Sequence, residues 1–200
     1  PFSDGLNLST NARGSNTINL SIFDATIGVQ TVYVNVTNSS GGQNATYTAT
    51  REGTTNNYVI STLNTTHFPD GVYNLTIYAN DTVGNLNNSA IVQRVSFDNT
   101  APTITHSCDD YSVDEDELIT CTCSASDSLS GLNLSYGTNG RTFTANPSTS
   151  SSGNNFATTC TSQDKASNFR TSTLYYNVSG SSGSSTTSSS SGSGSTSNSS

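Results

Sequence analysis

The chain has 200 residues, with 6 basic against 14 acidic side chains, a net charge of −8, and 69 Ser or Thr and 24 Asn residues. Its basic residues, Arg13, Arg51, Arg94, Arg141, Lys165 and Arg170, lie scattered, which excludes nucleic acid and anionic membrane surfaces, since both need clustered cations. No apolar run approaches the roughly 18 residues of a membrane-spanning helix, and a first residue of Pro with no Met reads as a processed or excised chain.

The opening PFSDGLNLSTNARGS (1–15) precedes the first clear strand pattern and is a candidate donated strand if the chain polymerises. Short alternating runs rich in Val, Ile, Thr and Tyr follow: NTINLSIF (16–23), VQTVYVNVT (29–37), NATYTATR (44–51), NYVISTL (57–63), VYNLTIYA (72–79) and SAIVQRVSF (89–97). After the break at DNTAPT come TITHS, ELITCTCSA, LNLSYG, RTFTA, NFATTCTS and STLYYNV. Period-2 alternation bounded by Gly, Asn, Asp and Ser predicts strands, and no segment carries a helical period of useful length. Two sets of short strands predict an all-β chain of two sandwiches. The expected boundaries are a domain over 1–98, a stiff linker over 99–103 containing Pro102, a second domain over 104–179, and a tail over 180–200. That Ser/Thr/Gly-rich tail cannot bury a core and reads as a linker or O-glycan stalk.

An internal repeat supports the division. Asp81, Gly84 and Asn85 match Asp164, Ser167 and Asn168, while Asp24-Ala-Thr-Ile-Gly28-Val29 matches Asp127-Ser-Leu-Ser-Gly131-Leu132. The surviving Asp and Asn, four apart at a strand end, predict a hairpin turn. In it the Asp accepts from the backbone two residues on, and the Asn tolerates left-handed dihedrals.

Cys108, Cys121, Cys123 and Cys160 all fall in the second half. An even number predicts two disulfides and an oxidising compartment; the competing reading is a metal site, disfavoured because Cys121-Thr-Cys123 sits in a strand pattern rather than a turned knuckle. Cys121 and Cys123 share one strand face. Cys160 aligns with the inward Ile77, so a Cys123–Cys160 bond would cross the sandwich and leave Cys108 for Cys121. Pairing of Cys121 with Cys160 stays open.

The runs ELITCTCSASD, ATTCTSQDKASN and FPDGVYNLTIYANDTVGN, with the DNTAPT joint, resemble the immunoglobulin-like repeats of bacterial and archaeal surface proteins, most closely those of archaeal surface glycoproteins. The resemblance covers about residues 16–179, although the first copy lacks the cysteines. It implies two tandem immunoglobulin-like β-sandwiches plus a Ser/Thr-rich C-terminal tail, placed outside the cell at its surface, with self-association into a filament or array.

Glycan acceptor motifs occur at Asn7, Asn19, Asn35, Asn38, Asn44, Asn64, Asn74, Asn80, Asn87, Asn133, Asn177 and Asn198. Nine fall in residues 1–98, where composition alone predicts about four, so covalent glycans are expected. Calcium is the one cofactor considered, with Asp81, Asp98, Asp109 and Asp110 as candidate oxygen ligands, together with Asn99, Asp164 and the acidic run through Glu117. No spacing completes a calcium loop. His67 and His106 have no neighbouring nucleophile and are expected to cap strand ends. No catalytic motif occurs, and the chain reads as structural rather than enzymatic. The alternative is an adhesin or carbohydrate-binding module, which would need exposed aromatics; Tyr33, Tyr47, Tyr58, Tyr73 and Tyr78 are the candidates.

Overall fold

A computed structural model describes residues 9–39, 42–87, 91–137, 142–145 and 152–180. Its first seven strands are β1 (Asn11–Ala12), β2 (Ser15–Ser21), β3 (Val29–Asn38), β4 (Gln43–Arg51), β5 (Asn57–Asn64), β6 (Gly71–Asp81) and β7 (Ile91–Phe97). Strands β7, β6, β3 and β4 pair antiparallel, and β1 adds to β7 in parallel. β4 then changes partner. Its Ala45–Ala49 stretch faces β3, but Thr50 and Arg51 pair with Val59 and Tyr58 of β5, which in turn pairs with β2. One strand thereby links two layers.

The alternation in these strands decides what lies between the layers. Val32, Val34 and Val36 of β3 and Tyr73, Leu75, Ile77 and Ala79 of β6 face inward. They meet Ile18 and Leu20 of β2 and Tyr58, Ile60 and Leu63 of β5. At one end Phe68, Tyr73 and Phe97 form an aromatic cluster with centroid separations of 4.5–5.5 Å. Each fully buried side chain of this size contributes about 1.5–3 kcal/mol of apolar transfer.

The second set comprises β8 (Thr103–Cys108), β9 (Ser112–Asp114), β10 (Ile119–Ser126), β11 (Thr142–Ala145), β12 (Gly153–Gln163) and β13 (Phe169–Ser179). It forms two three-stranded sheets, ordered β11–β10–β8 and β12–β13–β9. Among the described residues their shared core comprises Val113, Ile119, Cys121, Tyr176 and Val178. The chain is all-β, as its alternation predicts, with sheets layered as sandwiches.

One local expectation is corrected. LNLSYG is not a strand. Leu132 makes one isolated bridge to Asp164, and the chain then turns because Ser135 N–H donates to Asn133 Oδ1 at 3.2 Å and Tyr136 N–H to Asn133 O at 3.0 Å. Gly137 follows at φ 68°, where an added Cβ would lie 2.3 Å from Thr161 O; only glycine fits that approach. The short parallel strands β1 and β9 carry too few residues to show a period, and their pairing is not visible in sequence. β1 also bears on the donated-strand expectation, since Asn11 and Ala12 pair with Ser96 and Phe97 of their own chain. Residues 1–8 of that segment lie outside the described residues, as does the tail beyond 180.

Candidate functional site

The repeated Asp-x-x-x-Asn segments build the same turn twice. In the first, Val83 and Asn85 N–H groups donate to Asp81 Oδ1 at 2.9 Å, and Asn85 Nδ2 donates to Asp81 Oδ2 at 2.7 Å. In the second, Asn168 N–H donates to Asp164 Oδ1 at 2.8 Å and Asn168 Nδ2 to Asp164 Oδ2 at 2.7 Å. The left-handed residue is not the Asn, however, but the position before it: Gly84 at φ 92° and Ser167 at φ 72°. The Asn instead supplies an amide that clamps the carboxylate.

Each turn sits beside the other repeated segment. Val29 pairs with Asp81 and Leu132 bridges to Asp164, after left-handed Gly28 and Gly131. Asp24 Oδ1 accepts from Thr26 and Ile27 N–H, and Asp127 Oδ1 accepts from Leu129 and Gly131 N–H. Each half thus ends in one Asp pair and one Asn.

In the second half, this corner receives the end of the first. β7 runs directly into Asp98, whose N–H donates to Ala12 O at 2.9 Å. Asp98 Oδ2 accepts from Ser130 N–H at 3.1 Å, and its carbonyl oxygen accepts from Asn168 Nδ2 at 2.9 Å. Arg13 Nη1 also reaches Asn168 Oδ1 at 3.4 Å. Asn99 holds the other side: its Oδ1 accepts from Gly14 N–H and Thr65 Oγ1, and its backbone and side-chain amides donate to Asp70 Oδ1. Thr100 Oγ1 donates to Asp70 Oδ2. The segment before Pro102 is therefore bonded to both halves.

Carboxylate oxygens of Asp98, Asp127 and Asp164 all lie within 4.8 Å of one another, with Asp98 and Asp164 at most 1% exposed. None has an ion-pair partner among the described residues. Burial raises the Asp164 pKa and the charges of Asp98 and Asp127 add to the rise, although Asn168 opposes them. In the equivalent Asp81, partial desolvation is outweighed by the Asn85 and Val83 donors, and the pKa falls. Same turn, opposite shift. The difference comes first from the deeper burial of Asp164 and then from the carboxylates gathered beside it at the joint.

The calcium candidates divide on this geometry. Asp98 is at the joint. Asp81 is at the far end of β6, and Asp109 and Asp110 are at the far end of β10, where they accept from Thr120, Tyr111 and Ser112 N–H groups. Asp127 completes the cluster. Sequence spacing missed it as a ligand, but the repeat marks it, because both paired Asp positions survive in both copies.

Cys108 is bonded to Cys121, its direct cross-strand neighbour, and Cys123 to Cys160 between the two sheets. His67 closes a 3-10 turn (Thr65–His67), and His106 lies within β8 opposite Cys123; neither caps a strand end. Among the acceptor motifs, Asn19 and Asn177 are exposed, while Asn35, Asn74 and Asn80 share the outer face of β3 and β6. Asn38 and Asn64 accept from the backbone at strand ends, Asn87 follows the Asp81 turn, and Asn133 anchors the LNLSYG turn. Asn44 lies in β4; Asn7 and Asn198 are outside the described residues. Tyr58 and Tyr73 are core residues and Tyr47 packs against the core. Tyr33 and Tyr78 stack on the outer face, 5.2 Å apart and 14° from parallel.

No helix among the described residues is long and apolar enough to cross a membrane. No protein-family model and no curated protein matches the chain. Among solved structures it is similar to a tetra-tandem repeat in the extending region of a large adhesion protein, at 18% identity over 87% of this chain and 48% of that one, TM-score 0.36. The chain thus spans about half the length of that solved tandem-repeat chain. It is also similar to fibronectin(III)-like modules of Clostridium thermocellum CbhA, at 16% identity over 85% and 89% of the two chains, TM-score 0.36. A third likeness is to murine CEACAM1b, at 15% identity over 86% and 96%, TM-score 0.35. These likenesses name no family for this chain; its sandwich architecture stands on the strands and cores described above.

Proposed function

We propose that the chain is an extracellular structural glycoprotein module of a cell-surface layer, stalk or filament, and that its joint is a rigid coupling stiffened by calcium. The observation that carries this reading is Asp98, buried and hydrogen-bonded to the second half through both its carboxylate and its carbonyl. A joint bonded on both sides transmits orientation, which a spacer needs and a flexible tether does not provide. Buried like charges need a proton or a cation, and three hard carboxylate oxygens suit calcium, completed by water or backbone oxygens. Two disulfides fit an oxidising setting, and the acceptor motifs at Asn35 and Asn74 on the outer sheet face fit a glycan coat. The outer edge of β2, which has no neighbour among the described residues, offers a place for strand addition.

The test is small-angle scattering and thermal unfolding of the full chain with calcium and with chelator. Calcium should raise the unfolding temperature and narrow the distribution of interdomain distances, and Asp127→Asn should abolish both effects. An unchanged profile on chelation removes calcium from the reading; a broad distribution under both conditions removes the rigid joint.

The stacked Tyr33–Tyr78 pair favours a second reading, a carbohydrate-binding module, because sugars pack on aromatic faces. Glycan-array binding lost in Tyr33→Ala would support it, and ordered self-assembly without sugar binding would speak against it.

A further inference from the structure

The same corner that receives Asp98 in the second half stands open in the first. Asp24, Asp81 and Asn85 occupy the positions of Asp127, Asp164 and Asn168, and they line a pocket of about 140 Å³ with Val29, Asn80 and Leu86. We propose that this end is a socket for the closing strand of another sandwich of this kind, whose terminal Asp enters as Asp98 enters the second half.

Exposure carries the inference. At the occupied corner Ala166 and Ser130 are 6% and 7% exposed; their counterparts Val83 and Ile27 are 65% and 47% exposed. Asn168 is buried, whereas Asn85 is exposed. The open corner is thus more apolar than the covered one at these two positions; Leu86, 46% exposed, lines its pocket, while its counterpart Phe169 at the covered corner is also exposed. Apolar side chains grouped around a polar pocket mark an interaction surface.

The polar groups are unfinished in the matching way. Asn168 Nδ2 donates to both Asp164 and the Asp98 carbonyl, but Asn85 Nδ2 donates only to Asp81 among the described residues. Asn80 Oδ1 is buried without a partner among them, whereas Oε1 of its counterpart Gln163 accepts from Asn133 Nδ2 within its own half. A second copy of this chain cannot supply its own Asp98, which is buried in its own joint. The occupant is therefore the end of another module carrying a free Phe-Asp-Asn segment.

This inference rests on the structural-spacer reading, but the internal joint can be rigid whether or not the socket binds, so the two fail separately. The test adds a synthetic peptide of residues 94–102, RVSFDNTAP, to the isotope-labelled full chain, in calcium and in chelator, while amide NMR shifts are followed. The expected result is perturbation confined to 24–29 and 80–87 at millimolar peptide. In calcium, substituting Asp98→Ala in the peptide should weaken binding about tenfold, the loss of one charge-assisted hydrogen bond. Val83→Ser in the chain, at an exposed position that leaves folding intact, should weaken it as well. Absent or scattered shifts, or shifts indifferent to Asp98→Ala in calcium, overturn the proposal. Shifts produced by calcium alone, with none added by peptide, show a cation pocket and overturn it too.

Discussion

The two sandwiches repeat one corner but hold together by different means. The first buries a continuous core of Val, Ile, Leu, Tyr and Phe between its layers and contains no cysteine. Among the described residues the second has a five-residue core, both disulfides, and two buried hydroxyls, Thr158 Oγ1 and Ser162 Oγ, with no hydrogen-bond partner. A small β-sandwich needs either apolar area or covalent restraint, and this chain shows one solution of each kind. The comparison teaches that a turn geometry can persist while the source of stability behind it changes.

Removing an aromatic from the apolar side should break that contrast most strongly. Phe97→Ala should destabilise the first sandwich by about 3–5 kcal/mol, read as early loss of its amide signals in a urea titration while β10 and β12 stay protected. Equal loss in both halves would mean that the joint couples them into one cooperative unit. The covalent counterpart is next. Replacing Cys123 and Cys160 by Ala opens a loop with a sequence separation of 37, which should cost the second sandwich roughly 3–4 kcal/mol on the chain-entropy account and leave the first unchanged in the same titration.

A smaller substitution sharpens the comparison from the other side. Thr158→Val keeps the shape and removes an unpaired buried hydroxyl, so the second sandwich should gain about 1 kcal/mol. Destabilisation by the same amount, measured by hydrogen exchange, would show that the hydroxyl is paired by water.

The smallest effect is in acid. The Asp81 pKa is lowered on folding, so its contribution is present above the unfolded value and is lost as pH falls through the folded one. The Asp164 pKa is raised, so in chelator its contribution is present below the unfolded value and lost as pH rises through the folded one. Carboxyl-detected NMR titration of the two residues checks both directions. Matching titrations would deny that burial and neighbouring carboxylates at the joint set Asp164 apart from Asp81.

Much of the fold was legible because alternation is a local signal. The runs around Val34, Leu75 and Ile60 show which side chains face inward without reference to any partner strand. The shared face of Cys121 and Cys123 followed from the same period, and the alignment of Cys160 with inward Ile77 pointed to the Cys123–Cys160 and Cys108–Cys121 bonds that form. LNLSYG misled because its alternation is ended by Asn133 and by a glycine pressed against Thr161, a contact made across the fold. The candidate site was half legible: the repeat flagged Asp81, Asp164, Asn85 and Asn168 as turn builders but said nothing of what their outer side meets.

By itself, the sequence determined an all-β chain with a repeated Asp-x-x-x-Asn corner, inward and outward strand faces, and cysteines confined to one half. These depend on side-chain period and on hydrogen bonds spanning two to four residues. Only the tertiary structure decided that Asp98 joins Asp127 and Asp164, that Ala166 is covered while Val83 is open, and that two like turns shift their carboxylates in opposite directions. Those outcomes depend on one sandwich packing against the next. Long-range approach sets desolvation and charge proximity, and no local pattern encodes it.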